Sequence, residues 1–172
     1  EDLSTVVLVA PCAGCHGPEG SSQGPAAPTI AGLSKDYFVY SMEEYANGNR
    51  PATVMGRIAK GYSKEDYARM ADYFVGKEFK RISQPVEEDL VKRGGELAQT
   101  YCADCHEQDG RVGDGTGILA GQMLPYMQWA VEDFRSGARE MERRQARMFQ
   151  KLEATEGADA FNAIVNFYAS QQ

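Results

Sequence analysis

The pentapeptide Cys-x-x-Cys-His occurs twice in this chain, at Cys12–His16 and at Cys102–His106. Together the two stretches use all four cysteines and both histidines of the 172 residues. Any fold this sequence adopts must therefore present six reactive side chains on two short turns. A structural zinc site needs four convergent ligands, whereas the two pairs lie 90 residues apart. A thioredoxin-type redox pair needs a βαβ setting, and no segment alternates with the period of a strand. A disulfide framework uses the cysteines but gives the histidines no task. Attachment of c-type haem uses all six residues. The two thiols of each motif form thioethers to one macrocycle, and the adjacent His lies beneath it as an iron ligand. Two covalently bound haem c groups are therefore expected, one on Cys12 and Cys15 and one on Cys102 and Cys105. His16 and His106 are the expected axial ligands.

The motif belongs to a longer internal repeat. At an offset of 89, Ile30–Gly32 (IAG) answers Leu119–Gly121 (LAG), Tyr37 answers Tyr126, Gly48 answers Gly137, and Arg50 answers Arg139. Ordered matches of this kind indicate duplication. The polar stretch Arg81–Asp89, with Pro85 in its middle, is the natural boundary, dividing the chain into domains 1–84 and 85–172. A domain near 85 residues has little core of its own, and a haem supplies the apolar body its helices lack.

The periodicity is helical throughout. One helix is expected after Ser34, ending at Gly48. A second follows Ser63, with Asp66 completing a capping box and Gly76 as the stop. The second half offers helices over Pro125–Gly137, Met141–Thr155 and the closing stretch from Gly157. Pro11 stands directly before Cys12 and disfavours helix at Ala10, so the first helix is expected to end early.

With no third histidine, methionine is the expected sixth ligand of each iron. Met42 and Met70 fall within amphipathic helices and read as core. Met55 follows the loop Asn47–Thr53 and is the expected ligand in the first domain. In the second, Met123 and Met127 read as core, and Met141 and Met148 compete. Met141 lies 35 residues after His106, as Met55 lies 39 after His16, and is the preferred ligand. Arg57 and Lys60 are candidates to meet haem propionates.

The net charge is −7, which argues against a nucleic-acid partner. Residues 1–84 carry 10 acidic and 9 basic side chains, and residues 85–172 carry 15 and 9, so the second half holds most of the acid. The longest apolar run, Val6–Ala10, is too short to span a bilayer. A chain starting at Glu1 is expected to be a mature form.

Beyond the haem motifs, four segments carry a more specific resemblance: MGRIAKGYS from Met55, ILAGQ from Ile118, PYMQWAVEDFR from Pro125, and the terminal FYASQQ. They resemble the dihaem cytochrome subunits of flavocytochrome c sulfide dehydrogenases, within the wider cytochrome c4-like group. The resemblance covers nearly the whole chain. It implies an all-α fold of two tandem class I cytochrome c-like domains, with Met55 and Met141 as distal ligands. It also implies a periplasmic electron-transfer subunit that is not an enzyme on its own. Its electrons would come from an FAD-containing sulfide-oxidising partner and pass to a soluble acceptor such as a small cytochrome c. The alternative is a free-standing cytochrome c4-type shuttle to a terminal oxidase.

Overall fold

Proline sets the first break in the chain. Helix α1 (Leu3–Val9) is capped by Asp2, whose carboxylate accepts the Ser4 N–H, and it stops at Val9. A 3-10 turn over Ala10–Cys12 follows, with Pro11 in its first turn, where a missing N–H costs nothing. The first cysteine thus emerges from a tight turn, and α2 (Ala13–His16) carries the second cysteine and the histidine. The computed structural model describes every residue except Glu1 and Asp114. Among the described residues there is no strand, and no helix is long and apolar enough to cross a membrane.

The chain divides into two compact units, Glu1–Lys80 with Asp114–Gly117, and Arg81–Gly113 with Ile118–Gln172. In the first unit, α3 (Lys35–Asn47) begins at Ser34, whose hydroxyl accepts the Tyr37 N–H, and ends at Gly48 in the left-handed conformation. The short α4 (Met55–Ala59) leads into α5 (Lys64–Val75), which starts with the expected Ser63–Asp66 capping box. The core between these helices holds Phe38, Met42, Tyr67, Met70, Ala71 and Phe74. Phe38 and Phe74 stack with centroids 5.6 Å apart. Arg69 of α5 ties α1 down by donating to Ser4 and Thr5 hydroxyls.

The second unit is organised by α6 (Glu88–Tyr101) and α10 (Ala160–Ser170). Between them the chain forms the tight turn α7 (Glu107–Gly110), then α8 (Leu124–Arg135) and α9 (Arg143–Glu156). The core is Leu97, Ala98, Met127, Leu152, Phe161, Ile164, Val165 and Tyr168. Asn166 is fully buried; its side-chain oxygen accepts the Glu87 N–H at 2.8 Å, its amide donates to the Asn162 carbonyl, and it thereby docks the start of α6. Gln84 staples the incoming chain, donating to the Gln122 and Ala169 carbonyls and accepting the Leu124 N–H.

Helix α6 has no counterpart among the sequence expectations, because Gly94 and Gly95 sit at its centre and each weakens a helix by about 1 kcal/mol relative to Ala. The structure shows what they are for. A Cβ at Gly94 would lie 2.0 Å from the Ala163 carbonyl oxygen of α10, and one at Gly95 would lie 3.1 Å from the Phe167 ring. The two helices cross so closely that only glycine fits at the first position. A backbone atom cannot swing aside, while a ring can. Gly94→Ala is therefore expected to cost about 2 kcal/mol net, with overpacking outweighing the helix-propensity gain. Gly95→Ala is expected to be near neutral. Thermal unfolding followed by far-UV circular dichroism checks the difference; equal midpoints for the two variants would contradict the close crossing.

Candidate haem sites

The haem motif of the first unit is a single helical turn. Cys12 closes the 3-10 turn, Cys15 and His16 end α2, and the Gly17 N–H donates to the Ala13 carbonyl at 3.1 Å. Cys12 is half-buried, Cys15 is exposed, and neither is in a disulfide. His16 is only 9% exposed. Its Nδ1 lies 2.7 Å from the Pro28 carbonyl oxygen. A carbonyl can only accept, so Nδ1 carries the proton and Nε2 is left with its lone pair. This is the arrangement in which a second partner fixes the tautomer and orientation of a metal-ligating imidazole. Burial also lowers the pKa of His16, partly offset by the Pro28 contact, which keeps the ring neutral.

The second motif forms a similar turn, with the Cys105 and His106 N–H groups both donating to the Cys102 carbonyl, at 3.1 and 3.0 Å. Cys102 is half-buried and Cys105 exposed, and neither is in a disulfide. His106 is half-buried, with its ring 6.4 Å from that of Tyr168 in an edge-on arrangement.

The donor set fits haem c and not a bare metal. Burial raises the Cys12 thiol above its ordinary value and pushes Cys102 up to about 11. A structural zinc site needs four convergent ligands. A thioether needs no charge. Among the described residues, no group of three or more His, Cys, Asp or Glu side chains could hold a metal ion. The two Cys pairs are thus the candidate macrocycle anchors and the two histidines the candidate iron ligands.

The duplication is visible in backbone bonds. In the first unit, the Ile30 and Ala31 N–H groups donate to the Gly20 carbonyl; in the second, those of Leu119 and Ala120 donate to the Gly110 carbonyl. The Gly32 N–H donates to the Phe74 carbonyl at 2.9 Å, and the Gly121 N–H to the Tyr168 carbonyl at 2.8 Å. Arg50 stacks over Tyr45 at 4.7 Å, and Arg139 over Phe134 at 4.3 Å. Gly20 and Gly110 both have positive φ, and a Cβ on either would meet an aromatic ring of the unit's last helix, Phe74 or Tyr168, at 2.8 Å. The ring pair escapes the sequence comparison because its offset is 94 rather than 89. Pro28 escapes it because its contribution is a backbone oxygen, which no side-chain pattern reports.

Met42, Met70, Met123 and Met127 are all in the cores. Met55 is the first residue of α4 and is half-buried. Met141 is half-buried in the loop before α9, and Met148 is half-buried within α9 beside Phe149, whose ring packs on Phe161 at 4.8 Å. Arg57 and Lys60 line a cleft of about 280 Å³ together with Arg50 and Tyr45. Arg50 is only 6% exposed and donates to the Ser41 hydroxyl at 2.9 Å. Three cations thus surround one cleft beside Met55, an environment suited to a carboxylate.

No protein-family model matches the chain. It is 31% identical over 137 residues to cytochrome c4 of Pseudomonas aeruginosa, covering 74% of this chain and 68% of that one. It is 44% identical over 68 residues to the cytochrome subunit of sulfide dehydrogenase of Chlorobaculum tepidum, covering 40% of this chain and 61% of that one. Among solved structures, reduced recombinant cytochrome c4 from Pseudomonas stutzeri superposes over 100% of this chain and 99% of that one, with a TM-score of 0.81 at 24% identity. That superposition establishes the fold as two tandem class I cytochrome c domains. The chain belongs to the cytochrome c4 family of dihaem electron carriers, and it carries two covalent haem c groups.

Proposed function

We propose that this chain is the periplasmic electron-transfer subunit of a sulfide dehydrogenase. It accepts electrons from an FAD-containing sulfide-oxidising subunit and passes them to a soluble acceptor such as a small cytochrome c. The observation that carries this reading is the 44% identity to a sulfide dehydrogenase cytochrome subunit over 68 residues. The second reading, a free-standing cytochrome c4-type shuttle to a terminal oxidase, is supported by the longer match to cytochrome c4 over 137 residues.

In either reading the bound haems supply one-electron, outer-sphere transfer, and the protein's own residues do the rest. Cys12 and Cys15, and Cys102 and Cys105, anchor one macrocycle each. His16 and His106 would each offer a ring nitrogen to the iron. Met55 and Met141 would supply the second iron ligand of each haem, which would leave no place at the iron for substrate. The chain is therefore no enzyme on its own, and catalysis belongs to the partner.

Exposed apolar side chains suit a lasting contact. Val54 and Ile58, either side of Met55, are 52% and 43% exposed, and Trp129, the single tryptophan, is 61% exposed on α8. Aromatic anchors of this kind are enriched in protein interfaces. The excess of acid in residues 85–172 suits a mobile acceptor with a basic face.

Two experiments follow on the haem sites. Alkaline pyridine spectra are expected to show two c-type haems per chain, both resisting acid-acetone extraction, and Cys102→Ala with Cys105→Ala is expected to leave one. Met55→Ala and Met141→Ala are each expected to remove the far-red methionine-to-iron charge-transfer band of one haem and to lower that haem's potential, because thioether ligation raises it. Loss of the band in Met148→Ala but not in Met141→Ala would move the second distal ligand into α9.

Purification from the native source separates the two functions. A flavoprotein is expected to co-elute in size exclusion at low salt and still at ~1 M salt, where the Debye length is about 3 Å and exposed charge pairs are screened. Docking of the mobile acceptor is expected to weaken over the same range. A haem chain that runs alone at both salt concentrations would favour the free shuttle.

A further inference from the structure

The loop and short helix around Met55 carry a charge that the chain as a whole does not. The net charge is −7, yet residues 45–64 hold Arg50, Arg57, Lys60 and Lys64 and no Asp or Glu. Arg50, Arg57 and Lys60 meet at the cleft of about 280 Å³. Arg50 is the buried member, fixed by its bond to the Ser41 hydroxyl at 2.9 Å and its stacking over the Tyr45 ring. Arg57 is exposed and donates to the Thr53 carbonyl at 3.0 Å, and Lys60 is exposed three residues on. Among the described residues no acidic side chain lines the cleft. Val54 and Ile58, either side of Met55, are exposed apolar side chains on the same segment. The second unit differs at the corresponding place. Met141 stands between the exposed Glu140 and Glu142; the exposed Arg143, Arg144 and Arg147 follow, and Arg144 pairs with Asp104 at 3.0 Å. Charge there is mixed.

We infer that the Met55 face of the first unit docks an acidic redox protein, a carboxylate of that partner entering the cleft between Arg50, Arg57 and Lys60 beside apolar contact on Val54 and Ile58. The inference rests on the electron-carrier reading, holds for either function proposed above, and adds the sign of the partner's charge at the first unit.

The chemistry follows from the side chains. A guanidinium can meet a carboxylate with two parallel bonds, and an ammonium adds a point charge. Arg50 is already held by Ser41 and Tyr45, so it loses little freedom when the partner arrives. The apolar pair supplies a centre from which water is excluded, with the cations as its rim. Distance decides between local and net charge. At 0.1 M ionic strength the Debye length is about 10 Å. A docking partner therefore responds to the cations at the cleft and little to acid spread over the rest of the chain.

The test follows electron transfer into the ferric dihaem chain by its haem absorbance, with two reductants. One is reduced flavodoxin, a strongly acidic FMN protein; the other is lumiflavin semiquinone, a small neutral flavin. The ratio of the two rates cancels changes in the haems' own reactivity. With the wild-type chain, the flavodoxin rate is expected to fall as ionic strength rises from about 0.01 M to 1 M, where the Debye length shrinks from about 30 Å to 3 Å. Arg57→Gln with Lys60→Gln is expected to lower the ratio about five- to tenfold at the low end and hardly at the high end. Both positions are exposed, and far-UV circular dichroism with a haem count checks that the variant is intact. Arg143→Gln with Arg147→Gln removes the same charge from the second unit and is expected to leave the ratio within about twofold. A flavodoxin rate that rises with salt would overturn the inference, because net charge would then govern docking. Equal falls in the two double variants would overturn it as a diffuse effect. A fall of both rates together in Arg57→Gln with Lys60→Gln, the ratio unchanged, would overturn it by giving the cations to a haem propionate. A chain that purifies without a flavoprotein would change the proposed function and leave these rates as they are.

Discussion

In both units a ring from the last helix packs against a left-handed glycine of the haem-motif loop, and the rest of the unit is arranged around that contact. Gly20 receives Phe74, and Gly110 receives Tyr168. The same glycine carbonyl accepts two N–H groups from the IAG or LAG segment, and that segment's glycine donates back to the ring residue's own carbonyl. A Cβ on the loop glycine would push the ring away, and without the ring the loop would lose its apolar floor. The bracket joins the haem-bearing turn to the helix that closes the unit.

Burial sets the charge state of three side chains in the two motifs. A thiol or imidazole at the surface would titrate near its ordinary value. Here desolvation raises Cys12 and Cys102 and lowers His16, so all three groups are uncharged near neutral pH. Neutral groups suit contact with a flat apolar macrocycle. The Pro28 carbonyl then selects which imidazole nitrogen keeps its lone pair. In the second unit Tyr168 rather than Phe74 packs beside the motif, its ring 6.4 Å from that of His106. Duplication has preserved the scaffold while leaving phenylalanine in one unit and tyrosine in the other at this place.

Much of the helical content was legible because it rests on local chemistry. Ser34 and Ser63 cap helices through their own hydroxyls, Gly48 ends one by adopting positive φ, and Pro11 stops α1. Helix α6 was not legible. Two adjacent glycines weigh against a helix locally, and they are tolerated because α10 crosses within reach of Gly94. Packing of an amphipathic face contributes more than intrinsic propensity in a helix of this length. Gln84 and Asn166 were equally silent, because a buried amide reveals its role only when its partners, 38 to 85 residues away, are in place.

By itself the sequence determined the cofactor class, its number, the duplication and the all-helical character. Each follows from residue types at short fixed spacings, which covalent geometry turns directly into chemistry. The tertiary structure alone decided the tautomer of His16, the pairing of α6 with α10, and which aromatic residue packs beside each haem turn. Those depend on groups distant in the chain meeting at a few ångströms. The 94-residue offset between Phe74 and Tyr168, against 89 for the segments before them, shows why a linear pattern could not align the rings. Their equivalence lies in a shared hydrogen bond and a shared glycine, and both exist only once the chain has folded.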